Sequence, residues 1–212
     1  MFIHILLVFV IIISILYVYF KQTFLSYQND DLVIIHPFFQ NSQFRKIRKY
    51  CLSLDNKLEK DSRVESRKTY MCDSQKDMFI YKEIFSPYFF KQIKKQLKLD
   101  NCFPSCFPIE YRKYETGSQG MDWHQDKALF KDPYYECVLT LTNDSDSLFE
   151  FMIDDKINSV EPKPNSLVLV KPSTIYHKVT PLQNGERRIL KFVFLLNKNN
   201  EESQDYDFES KV

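Results

Sequence analysis

The sequence predicts an α+β protein with a jelly-roll (double-stranded β-helix) core, N-terminal flanking helices and one preceding transmembrane helix. Short β-rich runs follow one another over residues 109–196 and are separated by Asn, Asp, Pro and Gly, a pattern typical of antiparallel sandwiches. Upstream of them, apolar residues recur at helical spacing. With 212 residues and 44% hydrophobic content, the chain can fill one core, and its net charge of +1 argues against a strongly basic nucleic-acid binder.

The first twenty residues predict a membrane anchor. The run FIHILLVFVIIISILYVYF, from Phe2 to Phe20, is interrupted only by His4 and Ser14. About 20 apolar residues cross a bilayer, whereas a secretory signal has a shorter apolar stretch and a small-residue cleavage site, which is not visible here. We therefore expect a retained anchor over 1–20, with a long signal peptide or a buried core helix as the alternatives.

The side of the membrane on which the domain lies stays open. Lys21 is the fixed cation nearest to the span and lies on its C-terminal side, so the positive-inside rule favours a cytosolic domain. The sequon Asn143-Asp144-Ser145 offers a test for a luminal domain. Residues 21–31 are predicted to be a polar tether.

The segment that follows predicts a strand and two helices. LVIIHPFF, ending at Phe39, is apolar and β-branched and is predicted to be a strand. Asn41 is predicted to cap the first helix, and Ser86-Pro87 to start the second. Between the helices, the charged residues 55–77 are predicted to be irregular. The buried helix faces should contain Phe44, Ile47, Cys51 and Leu54 in the first helix, and Phe89, Ile93 and Leu97 in the second.

Charge and cysteine content add further expectations. Residues 45–98 carry fifteen Lys/Arg against seven Asp/Glu, and we interpret the excess as solvated helix faces rather than a nucleic-acid patch. The acidic tail 198–212 is predicted to be disordered. The five scattered cysteines are predicted to be free thiols, unless the domain faces an oxidising lumen. They are Cys51, Cys72, Cys102, Cys106 and Cys137.

Six runs predict the strands of the jelly roll, within a domain expected to cover residues 32–197. They read IEYRKYE, ECVLTLTN, LFEFMI, SLVLVKP, IYHKVTP and RRILKFVFLL. We find no internal repeat in this region.

Two histidines and an aspartate in this region suggest a metal site. On an extended segment, His124 and Asp126 point the same way, and a jelly roll can bring His177 back to them after 53 residues. Two imidazoles and one carboxylate cover one face of an octahedron and leave three positions open, as non-haem Fe(II) oxygenases require. The alternatives are a loop histidine at His124 and a satisfied core histidine at His177.

Other residues at matching spacing strengthen this interpretation. Arg187 follows His177 by ten residues and can clamp a carboxylate, while Tyr114 precedes His124 by ten residues and can hydrogen-bond the same acid. Arg188 could take the carboxylate instead, because successive strand residues face opposite sides. The Arg188 side of the strand is the more apolar, so periodicity leaves the choice open. The three glycines, Gly117, Gly120 and Gly185, fall in predicted turns beside these residues.

The segments that carry these residues resemble a known family. YRKYETGSQGMDWHQD, VLTLTNDSDSLFEF and PNSLVLVKPSTIYHKVTPLQNGERRILKFVF are similar to the catalytic domain of the 2-oxoglutarate/Fe(II)-dependent dioxygenases, in the prolyl-hydroxylase-like branch. That family shows Tyr and Gly before His-x-Asp, H-x-V-x-P at the distal histidine, and G-x-R about ten residues later.

The resemblance implies roles for individual residues. It implies catalytic iron coordination by His124, Asp126 and His177, binding of the 2-oxoglutarate C5 carboxylate by Arg187, and a co-substrate contact from Tyr114. The implied activity is hydroxylation of a C–H bond in a protein or peptide side chain, of prolyl or lysyl type. Succinate and CO2 would be released, with ascorbate as a possible helper.

Two other functions are alternatives to this one. An AlkB-like nucleic-acid demethylase is supported only by the basic region 45–98, and the predicted anchor argues against it. A non-catalytic jelly-roll binding module would not need to keep both histidines, the aspartate and the arginine. The sequence gives no indication of oligomeric state or of a particular substrate.

Overall fold

The computed structural model describes residues 27–61 and 66–199. The predicted membrane span, most of the tether and the tail from residue 200 lie outside them. Among the helices of the described residues, none has the length and apolar character needed to cross a membrane.

The helices of the described residues all lie in the first half of the chain, and most of the strands follow them. The helices are α1 (Asn41–Leu52), α2 (Met78–Ile84) and α3 (Pro87–Leu97), with a 3₁₀ turn at Asp55–Lys57. The strands are β1 (Tyr27–Gln28), β2 (Leu32–Ile35), β3 (Glu59–Lys60), β4 (Arg67–Met71), β5 (Phe103–Pro104), β6 (Glu110–Tyr114), β7 (Met121–His124), β8 (Tyr134–Asn143), β9 (Phe149–Ile153), β10 (Lys156–Val160), β11 (Leu167–Val170), β12 (His177–Val179) and β13 (Arg187–Leu195).

Two antiparallel sheets form the core. Within the described residues, the main sheet has nine strands in the order β1-β2-β11-β8-β13-β6-β4-β3, with β5 paired to β13. The small sheet has four strands in the order β10-β9-β12-β7. Non-consecutive strands are neighbours in both sheets, as in a jelly roll, so the predicted α+β jelly-roll core with flanking helices is confirmed.

The main sheet is covered on both faces. On β13, the side chains of Leu190, Phe192 and Phe194 belong to the same buried cluster as the apolar residues of the helices. The alternate residues Arg187, Ile189 and Lys191 point to the other face and line a pocket. Because both faces are largely buried, six of the nine residues of β13 are apolar.

The helices follow the predicted apolar spacing. Ser86 caps α3, and its Oγ accepts a hydrogen bond from the Phe89 N–H at 3.3 Å, as predicted. The predicted cap at Asn41 is wrong. The carbonyl of Gln40 accepts from the Phe44 N–H at 2.9 Å, so α1 begins one residue earlier and Asn41 is already helical.

The charged segment 55–77 is more regular than predicted. Strand β4 lies within it and pairs with β6 as part of the main sheet. Its Arg67 is buried because it forms an ion pair with Asp61 at 2.7 Å, which a charge count cannot anticipate. Helix α2 was not predicted, and β1 extends the main sheet into the segment predicted as tether. The strand predicted from LVIIHPFF ends at Ile35.

Candidate functional site

A pocket lies between the two sheets and is lined from both of them. Strands β6, β8, β11 and β13 of the main sheet form one wall, while β7, β9 and β12 of the small sheet form the other. Valine, isoleucine and phenylalanine side chains line much of it. The polar side chains that line it form a histidine–aspartate group and a set of buried charges.

The structure brings His124, Asp126 and His177 together. His124 and His177 are register partners on the adjacent strands β7 and β12, and their ring centroids are 4.4 Å apart. Asp126 follows the end of β7 by two residues. Its carboxylate oxygens lie 3.4 Å from His177 Nε2 and 3.8 Å from His124 Nε2. One ligand atom from each residue lies within 4.8 Å of the others, so the group could hold a metal ion.

Backbone carbonyls orient both imidazoles. His124 Nδ1 lies 2.6 Å from the Asp122 carbonyl, and His177 Nδ1 lies 3.1 Å from the Ile175 carbonyl. Because a carbonyl only accepts, we assign the proton of each ring to Nδ1, which leaves the lone pair on Nε2 beside Asp126. A ring whose Nδ1–H donates to a carbonyl while Nε2 faces the metal is typical of metal-binding histidines.

Two further observations fit a divalent metal. His124 Nε2 is buried and has no hydrogen-bond partner among the described residues, which is costly for a polar atom unless a ligand satisfies it. Burial lowers the pKa of His177, although the negative charge of Asp126 acts in the opposite direction. The imidazole is therefore held in the neutral form that coordinates metals.

Arg187 and Tyr114 form the charged end of the pocket. They are register partners on β13 and β6, and the guanidinium carbon lies 5.1 Å from the centroid of the tyrosine ring. Arg187 is 5% exposed, and burial lowers its pKa. The described residues give it no ion pair with a carboxylate. A buried guanidinium without an acid is a strong site for an anion.

Three guanidinium groups act on the Tyr114 hydroxyl. Burial alone would raise the pKa of Tyr114, but the positive charges of Arg112, Arg67 and Arg187 bring it below its ordinary value. Arg67 is paired with Asp61, and Arg112 is paired with Glu110. Arg187 therefore supplies the net positive charge at this end of the pocket.

Arg188 lies on the opposite face of β13. Its guanidinium binds Asp55 at 2.8 Å and also Glu186, away from the pocket. The sequence did not distinguish the two arginines, because the helices cover the Arg188 face of β13 and most residues of that face are apolar. Arg188 itself lies at the start of the strand, where it contacts Asp55. Of the two, Arg187 lines the pocket.

Two of the glycines hold the turns beside the site. Gly120 has a φ of +70°, and a Cβ there would lie 2.1 Å from the Val179 carbonyl oxygen of β12. Gly185 has a φ of +81°, and a Cβ there would lie 2.4 Å from the Asp144 carbonyl oxygen. Both positions require glycine because of conformation and close approach.

Sequence reasoning missed several charged residues of the pocket. Glu136 and Lys191 line it, as does Arg112, whereas the sequence predicts each of them only as part of a strand. Their signal in the sequence is weak: Glu136 and Lys191 stand next to apolar residues in predicted strands, whereas Arg112 lies among other charged residues in IEYRKYE. Trp123, the neighbour of His124, does not line the pocket, and the Lys178 ammonium lies 5.1 Å from its ring centroid.

No protein-family model and no curated protein matches the sequence. The structure is similar to an oxidoreductase of the 2OG-Fe(II) oxygenase family from Burkholderia pseudomallei, with 14% identity, a TM-score of 0.64, and coverage of 79% of this chain and 85% of that one.

Two other similar solved structures contain bound molecules. One is a Trichoplax adhaerens prolyl hydroxylase in complex with a peptide fragment of the hypoxia inducible factor oxygen degradation domain, with 14% identity, a TM-score of 0.60, and coverage of 78% and 83%. The other is HygX from Streptomyces hygroscopicus with nickel and 2-oxoglutarate bound, with 11% identity, a TM-score of 0.60, and coverage of 84% and 85%. The described part of this chain thus has the double-stranded β-helix fold of the 2-oxoglutarate/Fe(II)-dependent oxygenases, including the prolyl hydroxylases.

Proposed function

We propose that this protein is an Fe(II)- and 2-oxoglutarate-dependent dioxygenase that hydroxylates a C–H bond. The observation that carries the proposal is a buried Arg187, with no acid partner among the described residues, in the same pocket as His124, Asp126 and His177. Together they offer a cation for a distant carboxylate and three ligands on one side of a metal. A dicarboxylate that chelates a metal at one end needs this combination.

His124, Asp126 and His177 would hold the iron. When bound, the iron would supply the activation of dioxygen, with 2-oxoglutarate as the co-substrate. The carbonyls of Asp122 and Ile175 keep both imidazoles in the ligating tautomer. These contacts prepare the ligand set before any metal arrives.

Arg187 and Tyr114 would bind the C5 carboxylate of 2-oxoglutarate. The guanidinium can make two parallel hydrogen bonds to a carboxylate, and the tyrosine hydroxyl can donate a third. Apolar side chains such as Val138, Val168 and Ile189 line the pocket and limit the access of water. The chain's own residues thus bind, orient and shield the reactants.

We further propose a protein or peptide side chain as the substrate, of prolyl or lysyl type. The support is the similarity in fold to a prolyl hydroxylase that binds a peptide.

We also propose that residues 2–20 anchor the protein in a membrane as a single N-terminal span, on the evidence of the apolar run alone. Lys21 favours a cytosolic domain. Alkaline carbonate extraction of membranes and protease protection test both statements about the membrane.

The decisive experiment measures succinate without a prime substrate. The full chain, purified without metal in mild detergent, is given Fe(II), 2-oxoglutarate and ascorbate, and its His124→Ala and Arg187→Ala variants are treated identically. We expect iron-dependent succinate that both variants lose, while Arg188→Ala retains it. A wild-type protein that fails to bind Fe(II) and 2-oxoglutarate together would overturn the enzyme proposal and favour a binding module.

A further inference from the structure

A buried ion pair lies in the wall of the pocket and has no part in the ligand set described above. Lys191 Nζ lies 2.5 Å from Glu136 Oε2, and the side chains are 17% and 5% exposed. The two residues come from the adjacent central strands β13 and β8, so neither can move away without disturbing the main sheet. Both line the same pocket as the histidine–aspartate group.

Burying two charges is expensive, and their mutual attraction often fails to repay the cost of removing them from water. An apolar pair would therefore serve the fold at least as well. Buried charges kept inside a ligand pocket are candidates for a functional role. The pair thus needs an explanation beyond stability.

The electrostatics connect the pair to the metal ligands. Burial alone would lower the pKa of Lys191, but the negative charges of Glu136 and Asp126 more than offset this and raise it. Lys191 is therefore a cation that feels the charge of Asp126, and it would repel a divalent metal bound there. Glu136 is the acidic group at closest range to this ammonium; burial raises the pKa of Glu136, and the positive charge of Lys191 acts in the opposite direction.

Resting on the proposed function, we propose that Glu136 and Lys191 are positioning residues that set the affinity of the His124–Asp126–His177 group for divalent metal. Lys191 balances the carboxylate of Asp126 when the metal is absent. Glu136 neutralises the ammonium so that it does not weaken binding when the metal is present. The metal site thus depends on a charge balance that extends beyond its three ligands.

The test is a double-mutant cycle read by metal affinity. The full chain in mild detergent is titrated with Mn(II), a redox-stable probe for Fe(II), in the wild type, Glu136→Gln, Lys191→Met and the double variant. Glu136→Gln leaves an uncompensated ammonium, and we expect Mn(II) affinity to fall by about tenfold or more. Lys191→Met removes the cation, so affinity should not fall, and the double variant should return toward the wild type.

A purely structural pair would give a different result. Both single variants would then unfold more easily and would weaken Mn(II) binding alike, and this outcome overturns the proposal, as does an unchanged affinity in Glu136→Gln. If Glu136→Gln fails to fold, Lys191→Met decides alone, because any loss of affinity in that variant contradicts the proposal.

A second ion pair of similar length provides the matched control. Lys178 Nζ lies 3.0 Å from Glu150 on the small sheet, and neither residue lines the pocket. Lys178→Met and Glu150→Gln should leave Mn(II) affinity unchanged. Failure of the inference is distinct from failure of the proposed function, because in the first case the wild type still binds Mn(II) and 2-oxoglutarate together.

Discussion

Arg187 and Arg188 are consecutive residues of β13 whose guanidinium groups lie on opposite faces of the main sheet, one beside Tyr114 in the pocket and one on Asp55. This separation makes them a matched pair for mutation. Arg187→Met should weaken 2-oxoglutarate binding by about 10- to 100-fold, because a charged hydrogen-bonding partner is worth about 1.5–3 kcal/mol.

Arg188→Met should leave 2-oxoglutarate affinity unchanged. Its ion pair with Asp55 is partly exposed, so the variant should lose at most about 1 kcal/mol of unfolding free energy. Calorimetric titration and thermal unfolding measure the two quantities. Equal loss of affinity in both variants would show that the pocket, rather than Arg187, had been damaged.

The two glycines before β7 should respond differently to alanine. Gly120→Ala places a Cβ 2.1 Å from a backbone oxygen at a φ of +70°, so the turn must move, and we expect a loss of more than about 3 kcal/mol. Gly117→Ala has open space, with Ser66 Oγ the nearest atom at 3.9 Å, and should cost only about 1–2 kcal/mol for its φ of +92°. Denaturant unfolding of both variants checks the order, which the reverse result would contradict.

The cysteines should separate into reactive and inert groups. Among the cysteines, Cys51, Cys72 and Cys137 are buried, Cys102 is partly buried and Cys106 is exposed. Burial raises the pKa of Cys72 to about 12, and raises those of Cys51 and Cys137 well above the ordinary value, whereas Cys106 is exposed. Since the thiolate is the nucleophile, iodoacetamide at pH 8 should modify Cys106 first.

Mass spectrometry of the native and the unfolded protein measures this reactivity. The three buried cysteines should become modified only after unfolding, so rapid modification of Cys72 in the native protein would contradict the core packing described above.

The sequon asparagine should matter for stability. Asn143 Nδ2 donates to the Pro162 carbonyl at 3.0 Å, and Asn143 Oδ1 accepts from Ser145 Oγ at 2.6 Å. Asn143→Ala removes both bonds, and we expect a loss of about 1–2 kcal/mol of unfolding free energy. A variant as stable as the wild type would mean that the side chain does not support this turn.

The strands of the core were predictable because burial on both faces leaves them apolar. The runs containing β8, β11 and β13 stand out in the sequence for that reason. Strand β4 was missed because partners on other segments neutralise its charged residues, with Asp61 paired to Arg67 and Glu115 paired to Lys68. A single sequence does not show which charges are paired.

The same limit applies to the site. His124, Asp126, His177, Arg187 and Tyr114 could be selected because their residue types and spacing carry chemical meaning. Glu136 and Lys191 could not, because their importance depends on a contact between strands that lie 55 residues apart in the chain. The choice between Arg187 and Arg188 required knowing which face of β13 packs against the helices.

Strand β7 has only four residues and lies at the edge of the small sheet, with β12 as its neighbour. Short edge strands open easily in local fluctuations that amide hydrogen exchange detects. His124 on β7 and His177 on β12 face each other across this pairing, so an ion bound to both would join the two strands through their side chains. Loading the metal would then act as a clasp that slows the opening of β7 and couples the order of this edge to the occupancy of the site.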